Sequence, residues 1–204
     1  ISGGTNVDLG GTLSATNAGT YEGTATPRKG YCWSDNTNSS KSYNWTISKI
    51  PDPVMVTAKT GLSYNGSAHT LATVSNARGT VYYSTSTELT SSNYSSGSTT
   101  IPTGTNAGTY KVYYLISGNS NYNSKSDAVN VTIKQYDISK NATIGSVGDQ
   151  KYTGSAITPT PSVTVPIPSG KTTTLVNGTD FTYGYSNNIS VGTGTINVTG
   201  KGNY

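Results

Sequence analysis

Apolar side chains fall on every second position in short stretches spread along the whole chain. Val129, Val131 and Ile133 share one parity, with Asn130, Thr132 and Lys134 on the other. Tyr43, Trp45 and Ile47 do the same, as do Val112, Tyr114 and Ile116, Val81 and Tyr83, and Ile196 and Val198. A period of two is the mark of a half-buried β-strand, and no segment carries a helical apolar stripe of three turns. The pattern predicts an all-β protein of many short strands. Asn65-Gly66 and Asn177-Gly178 are predicted to close tight hairpins, because both residue types accept positive φ. Pro51 and Pro53 follow a strand and suit a linker or an edge entry. The proline-rich run from Pro159 to Pro168 is predicted to be an edge strand with bends, since proline cannot donate to a ladder.

The strands belong to a repeat. Thr16-Asn17-Ala18-Gly19-Thr20-Tyr21 returns identically as Thr105-Asn106-Ala107-Gly108-Thr109-Tyr110. Tyr64-Asn65-Gly66-Ser67-Ala68 returns as Tyr152-Thr153-Gly154-Ser155-Ala156. Trp45-Thr46-Ile47-Ser48-Lys49 matches Val131-Thr132-Ile133-Lys134, and Gly118-Asn119-Ser120-Asn121-Tyr122 matches Gly200-Lys201-Gly202-Asn203-Tyr204. These anchors keep one order and a period of roughly 82–89 residues, which is the first test for a repeat architecture. Three units follow. Residues 1–50 hold the C-terminal half of a repeat, residues 51–135 a complete one, and residues 136–204 one that lacks its last strand. The chain is thus expected to begin and end inside repeats, as a piece of something longer. About 85 residues and some seven strands suit an immunoglobulin-like β-sandwich. The predicted architecture is therefore a tandem of such domains, the first and last incomplete.

Composition sharpens this picture. Only 32% of the 204 residues are hydrophobic and 11% charged, below the usual share of each. Disorder would account for that, but the 16 tyrosines and the regularly placed valines and isoleucines favour order with thin cores. The net charge of +4 comes from 13 basic residues dispersed along the chain, with Arg28-Lys29 the densest pair. Nucleic-acid binders concentrate such charge in a patch, so no nucleic-acid partner is expected. A single cysteine, Cys32, excludes an internal disulfide. No apolar run approaches the roughly 20 residues of a membrane span, and no membrane insertion is expected. The opening Ile1-Ser2-Gly3-Gly4-Thr5 is neither basic nor apolar enough for a secretory signal.

The Asn-Ala-Gly-Thr-Tyr, Gly-x-x-Asn-Tyr and Val-Thr-Ile-Lys anchors resemble the bacterial immunoglobulin-like repeats of large surface proteins and adhesins. The third unit resembles a variant of those repeats through Tyr152, Gly154, Thr158-Pro159, Gly178, Asp180-Phe181, Tyr185, Asn188, Gly192 to Thr195 and Gly200 to Tyr204. The first unit, with Gly30-Tyr31-Cys32-Trp33-Ser34-Asp35 and Tyr43-Asn44-Trp45-Thr46-Ile47, is similar to repeats of Firmicutes surface proteins and phage structural proteins. The resemblance covers nearly the whole chain and implies spacer or adhesive modules, though such a fold carries no function by itself.

Little in the sequence points to catalysis. His69 is the only histidine, and it stands where the third unit has Ile157, a packing position. One His and one Cys cannot build a zinc site, the nine acidic residues form no calcium-type cluster, and no phosphate loop occurs. No cofactor, metal site or catalytic residue is predicted. Lys59, Asn130 and Asp127 are the one set that suggests an isopeptide bond. Tyr21 and Tyr110 are expected to plug the end of a sandwich with the hydroxyl on a loop backbone. Trp45 is expected in the core and Cys32 to be packed. The residues left for ligand contact are Trp33, in a Gly/Ser/Asp loop, and Tyr82, Tyr94, Tyr113 and Tyr183, read as exposed.

The function expected is a non-enzymatic extracellular stalk or adhesion module on a bacterial cell surface. A phage virion component, a fibre, decoration or tail domain binding glycans weakly and multivalently, is the alternative. The partners expected are neighbouring repeats of the same chain, and cell-surface glycans or other subunits of a large assembly.

Overall fold

The computed structural model describes residues 4–204 and is all-β, with sandwich-like packing. Strands β1 (Val7–Gly11), β2 (Gly19–Pro27) and β3 (Lys41–Ile47) form an antiparallel sheet in that order. A short β4 (Ile50–Pro51) leads to β5 (Met55–Ala58), β6 (Leu62–Ser63), β7 (His69–Thr70), β8 (Ala72–Ser75) and β9 (Val81–Ser84). One 3₁₀ turn, Tyr94–Ser96, precedes β10 (Thr103–Gly104), β11 (Gly108–Ile116), β12 (Tyr122–Asn123) and β13 (Lys125–Lys134). The remainder holds β14 (Thr143–Ile144), β15 (Val163–Pro166), β16 (Thr172–Thr174), β17 (Phe181–Ser186) and β18 (Thr195–Gly200).

Two cores follow from the alternation. In the first, β6-β13-β11-β9 form one sheet and β5-β8 a smaller one. Val112, Tyr114 and Ile116 of β11 and Val131 and Ile133 of β13 face Val56 of β5 and Ala72 of β8, and all are buried. The second gathers Ile138, Val163, Val165, Ile167, Leu175, Phe181 and Tyr204 under β14-β15-β16 and β17-β18. Tyr64 packs against both clusters.

The repeated sequence produces repeated register. Gly19 pairs with Ile47 and Tyr21 with Trp45; Gly108 pairs with Ile133 and Tyr110 with Val131. The Thr20–Thr46 and Thr109–Thr132 pairs each bring two hydroxyls together, at 3.4 and 3.2 Å. In strands of period two, a slip of one residue would turn every apolar side chain outward, so burial holds this register in place.

Several local expectations change. The proline-rich run is a central strand, not an edge: β15 lies between β14 and β16, and Val163 and Val165 are buried. Its prolines flank the strand or end it at Pro166, where no inward ladder bond is lost. Asn65-Gly66 and Asn177-Gly178 are turns with Gly66 at φ 78° and Gly178 at φ 85°, but neither joins two paired strands. Trp45 is half-buried rather than in a core. No apolar side chain is fully buried among residues 4–50, because no second sheet covers the face of β1–β3 that carries it. It stacks instead on Tyr21 at 4.8 Å and donates from Nε1 to the Thr12 carbonyl at 2.9 Å. Cys32 is exposed rather than packed.

Candidate functional site

The residues that recur most faithfully meet at the two places where one repeat anchor reaches the preceding one. Each Asn-Ala-Gly-Thr-Tyr turn is first closed on itself. Tyr21 donates its hydroxyl to the Asn17 carbonyl at 2.7 Å, and Tyr110 to the Asn106 carbonyl at 2.8 Å, the contact to loop backbone that the sequence predicts. The closed turn presents an asparagine carboxamide and an alanine N–H outward.

One asparagine from the following Gly-x-x-Asn-Tyr loop then makes three contacts there, two to that turn and one to the chain just beyond its strand pair. Asn121 Oδ1 accepts from the Ala18 N–H at 2.7 Å, its Nδ2 donates to Asn17 Oδ1 at 3.0 Å, and its carbonyl accepts from the Ile50 N–H at 3.2 Å. Asn203 repeats every contact: Ala107 N–H at 2.7 Å, Asn106 Oδ1 at 3.2 Å, and Tyr136 N–H at 2.8 Å. Asparagine alone among the small side chains offers an acceptor and a donor on one planar group, and the obligate alanine donor sets which way that group faces. The glycine that opens the loop is required by space. A Cβ on Gly118 would stand 2.9 Å from the Ser124 nitrogen, and one on Gly200 would stand 2.6 Å from the Tyr204 carbonyl carbon.

Apolar and backbone contacts accompany the grip differently at the two places. At the second, Tyr64 meets Tyr204 edge-on at 5.4 Å, and Gln135 Nε2 donates to the Gly202 carbonyl at 2.9 Å. At the first, β12 runs parallel to β4, pairing Tyr122 with Ile50 and Asn123 with Pro51.

No protein-family model, curated protein or solved structure matches this chain. The geometry of its own recurring parts is therefore what speaks to function.

Of the ligand-contact candidates, three share one region. Tyr82 and Tyr94 meet edge-on with centroids 5.0 Å apart, and Tyr113 lies on the same outward face of the sheet, under Lys111 Nζ at 4.7 Å. All three are half-buried rather than exposed, because the loop after β9 folds back over this face and buries Leu89. Tyr183 does not join them. It packs against the second core, edge-on to Phe181 at 4.9 Å, with its hydroxyl donated to the Pro161 carbonyl. Its period-two parity with buried Phe181 is the signal for that placement. Trp33 stands apart in the 28–40 loop, half-buried, with Nε1 donating to the Ser39 carbonyl at 2.8 Å and Lys41 Nζ 5.2 Å from its ring. Hydrogen bonds from Lys41 and then Thr37 hold the Asp35 carboxyl well below the usual carboxylate range. Lys59, Asn130 and Asp127 are all exposed, so that set has no buried acid to assist an isopeptide bond. No group of three or more His, Cys, Asp or Glu side chains is placed to hold a metal among the described residues.

Burial pushes the hydroxyls of Tyr83, Tyr114, Tyr183 and Tyr204 upward from their usual value, with the neighbouring Tyr64 adding to the effect on Tyr204. A raised tyrosine favours the neutral form in the fold. Its stabilising contribution is intact below the unfolded value near 10 and is lost as pH rises through the folded value. These four are expected to form the late fraction of the tyrosinate absorbance, ionising together with loss of the β-sheet signal. Early, fold-independent ionisation of all the tyrosines would contradict that placement.

Proposed function

We propose that this chain is a run of immunoglobulin-like β-sandwich repeats acting as a non-enzymatic extracellular stalk or adhesion module of a bacterial surface protein. The observation that carries the reading is the asparagine grip, made twice with the same atoms between successive anchors. A spacer needs joints that resist bending, and a three-point hydrogen-bonded joint of fixed chemistry supplies that in every copy. Repeat arrays draw stability from such neighbour interfaces as well as from each unit's own core. The Ser/Thr/Asn-rich surface, with 11% charged residues, suits a module that is covered by solvent along its length. The half-buried Tyr82–Tyr94–Tyr113 face is the part of the chain that suits glycan contact, since sugars stack on grouped aromatic rings.

Small-angle scattering tests the stalk. A compact globule of this length would have a radius of gyration of about 17 Å. A jointed array is expected to exceed that clearly and to give one narrow distribution of lengths. A value near the compact limit would overturn the reading. A glycan-array screen of the intact chain and of Tyr82→Ala tests the adhesive part, with binding expected to weaken in the variant.

A further inference from the structure

We infer that the groove between residues 147–152 and 187–196 is an open acceptor, built to receive the Gly-x-x-Asn-Tyr loop of a further repeat of this same type. This rests on the array reading above and names a binding surface that it leaves vacant.

The acceptor on the complete unit has two parts, the Tyr64-Asn65-Gly66 turn and the Asn106-Ala107-Gly108 turn. The first packs Tyr64 against Tyr204, and the second is gripped by Asn203. Both parts recur in the third unit as Tyr152-Thr153-Gly154 and Ser190-Val191-Gly192. Their backbones recur too. Gly66 and Gly154 have φ of 78° and 76°, and Gly108 and Gly192 have φ of 148° and 142°. These values are ones that a side chain rarely adopts, so their agreement shows that the backbone at both glycines is kept, although the second turn shares only its glycine and has Gly194 where Tyr110 closes the other.

What differs is occupancy. Tyr152 is 66% exposed, where its counterpart Tyr64 packs on a tyrosine, and Val191 is 87% exposed, where Ala107 carries an asparagine. The Val191 N–H makes no hydrogen bond among the described residues. Ser190, in the position of Asn17 and Asn106, offers a hydroxyl that can accept from an asparagine Nδ2. Between the two turns runs a groove of about 650 Å³ with Val147, Tyr152, Tyr185, Ile189 and Val191 along it. Exposed apolar side chains gathered in one concavity mark an interaction surface. The occupant is specified by the other two acceptors in the molecule, each of which holds the same loop through the same asparagine. An asparagine carboxamide would meet the Val191 N–H and Ser190 Oγ, and the tyrosine after it would lie against Tyr152.

The test extends the chain by one repeat. Because Tyr204 stands where Tyr122 does in the motif, the full chain continued from Tyr204 with a second copy of residues 123–204 adds a copy of β13 and then a new unit bearing Asn203. Amide exchange is read at Val191 and at Ala107 in the same molecule. The Val191 amide is expected to slow by about tenfold or more on extension, the scale of one hydrogen bond in a local opening. Asn203→Ala in the added copy is expected to restore fast exchange. A second extension, residues 123–134 followed by 49–135, presents the same loop through Asn121 on the better-packed unit and guards against misfolding of the first. Val191 exchanging as fast in both extended chains as in the original, with Ala107 still protected, would overturn the acceptor while leaving the array intact. An unprotected Ala107 in the original chain would instead sink the array reading itself. Protection of Val191 that survives Asn203→Ala would overturn the assigned contact.

Discussion

Replacing Phe181 with alanine is expected to cost about 3–5 kcal/mol and to unfold residues 136–204 while the 51–135 core survives. The ring is 2% exposed, edge-on to Tyr183, and belongs to a cluster of seven buried side chains that includes Val163, Val165, Leu175 and Tyr204. Removing a phenylalanine from such a site loses its transfer energy and leaves a cavity that the surrounding structure fills only in part. A segment of this size has only roughly 3–10 kcal/mol of stability at the usual amount per residue, so the loss takes most of it. The 51–135 core shares only Tyr64 with this cluster. Denaturation followed by far-UV circular dichroism and by amide exchange should therefore split into two transitions. The amides of Val163 and Val165 should melt early, while those of Val112 and Val131 hold. Because Tyr204 sits in the failing core beside Asn203, Ala107 should lose its protection with the early transition. A single transition at the parent midpoint would contradict this division of the cores.

The alternation of apolar residues sufficed to find β3, β9, β11, β13 and β18, but not strands such as β2. Val129, Val131 and Ile133, and Val112, Tyr114 and Ile116, lie in β13 and β11, with the predicted parity inward for most of them. The tyrosine of each Asn-Ala-Gly-Thr-Tyr anchor was legible for the same local reason, since its partner is four residues away. Contacts between distant segments were harder to read. Trp45 has the parity of a core residue, but parity says nothing about whether a second sheet arrives to cover it. Proline suggests an edge, yet β15 is central because its prolines fall where the ladder does not call on them. The grip of Asn121 on residue 18 spans 103 positions. Its one trace in the sequence is that polar Asn17 and Asn106 recur together with polar Asn121 and Asn203, although none of the four has a core to fill. Paired recurrence of polar residues outside the core is the signal that points to a joint.

The first joint should be broken most sharply by adding charge to both of its sides. Asn121→Asp alone should be nearly neutral. The carboxylate still accepts from the Ala18 N–H, and the Asn17 carboxamide, whose one side-chain hydrogen bond is to Asn121, can turn over to donate. Asn17→Asp alone should be equally mild, since Asn121 Nδ2 donates to a carboxylate as readily as to an amide. The double substitution leaves two carboxylates about where the amide pair stood at 3.0 Å, with no donor between them. Like charges so close in a partly shielded site repel by about 1–3 kcal/mol beyond the sum of the single changes. With no buried apolar side chain of its own among the described residues, the β1–β3 sheet has little besides β12–β4 to keep it aligned with its neighbour. The double variant should therefore show fast exchange at Ala18 and Ile50 and a broadened scattering profile, while Ala107 stays protected. The sign with pH follows from the repulsion, which raises the affinity of the pair for a proton. The joint should be loose near neutral pH and tighten as pH falls toward 4, where one carboxyl becomes a donor to the other. A double variant no worse than the two single ones would mean that Asn17 and Asn121 do not meet in solution, and the joint would have to be held by the backbone pairing alone.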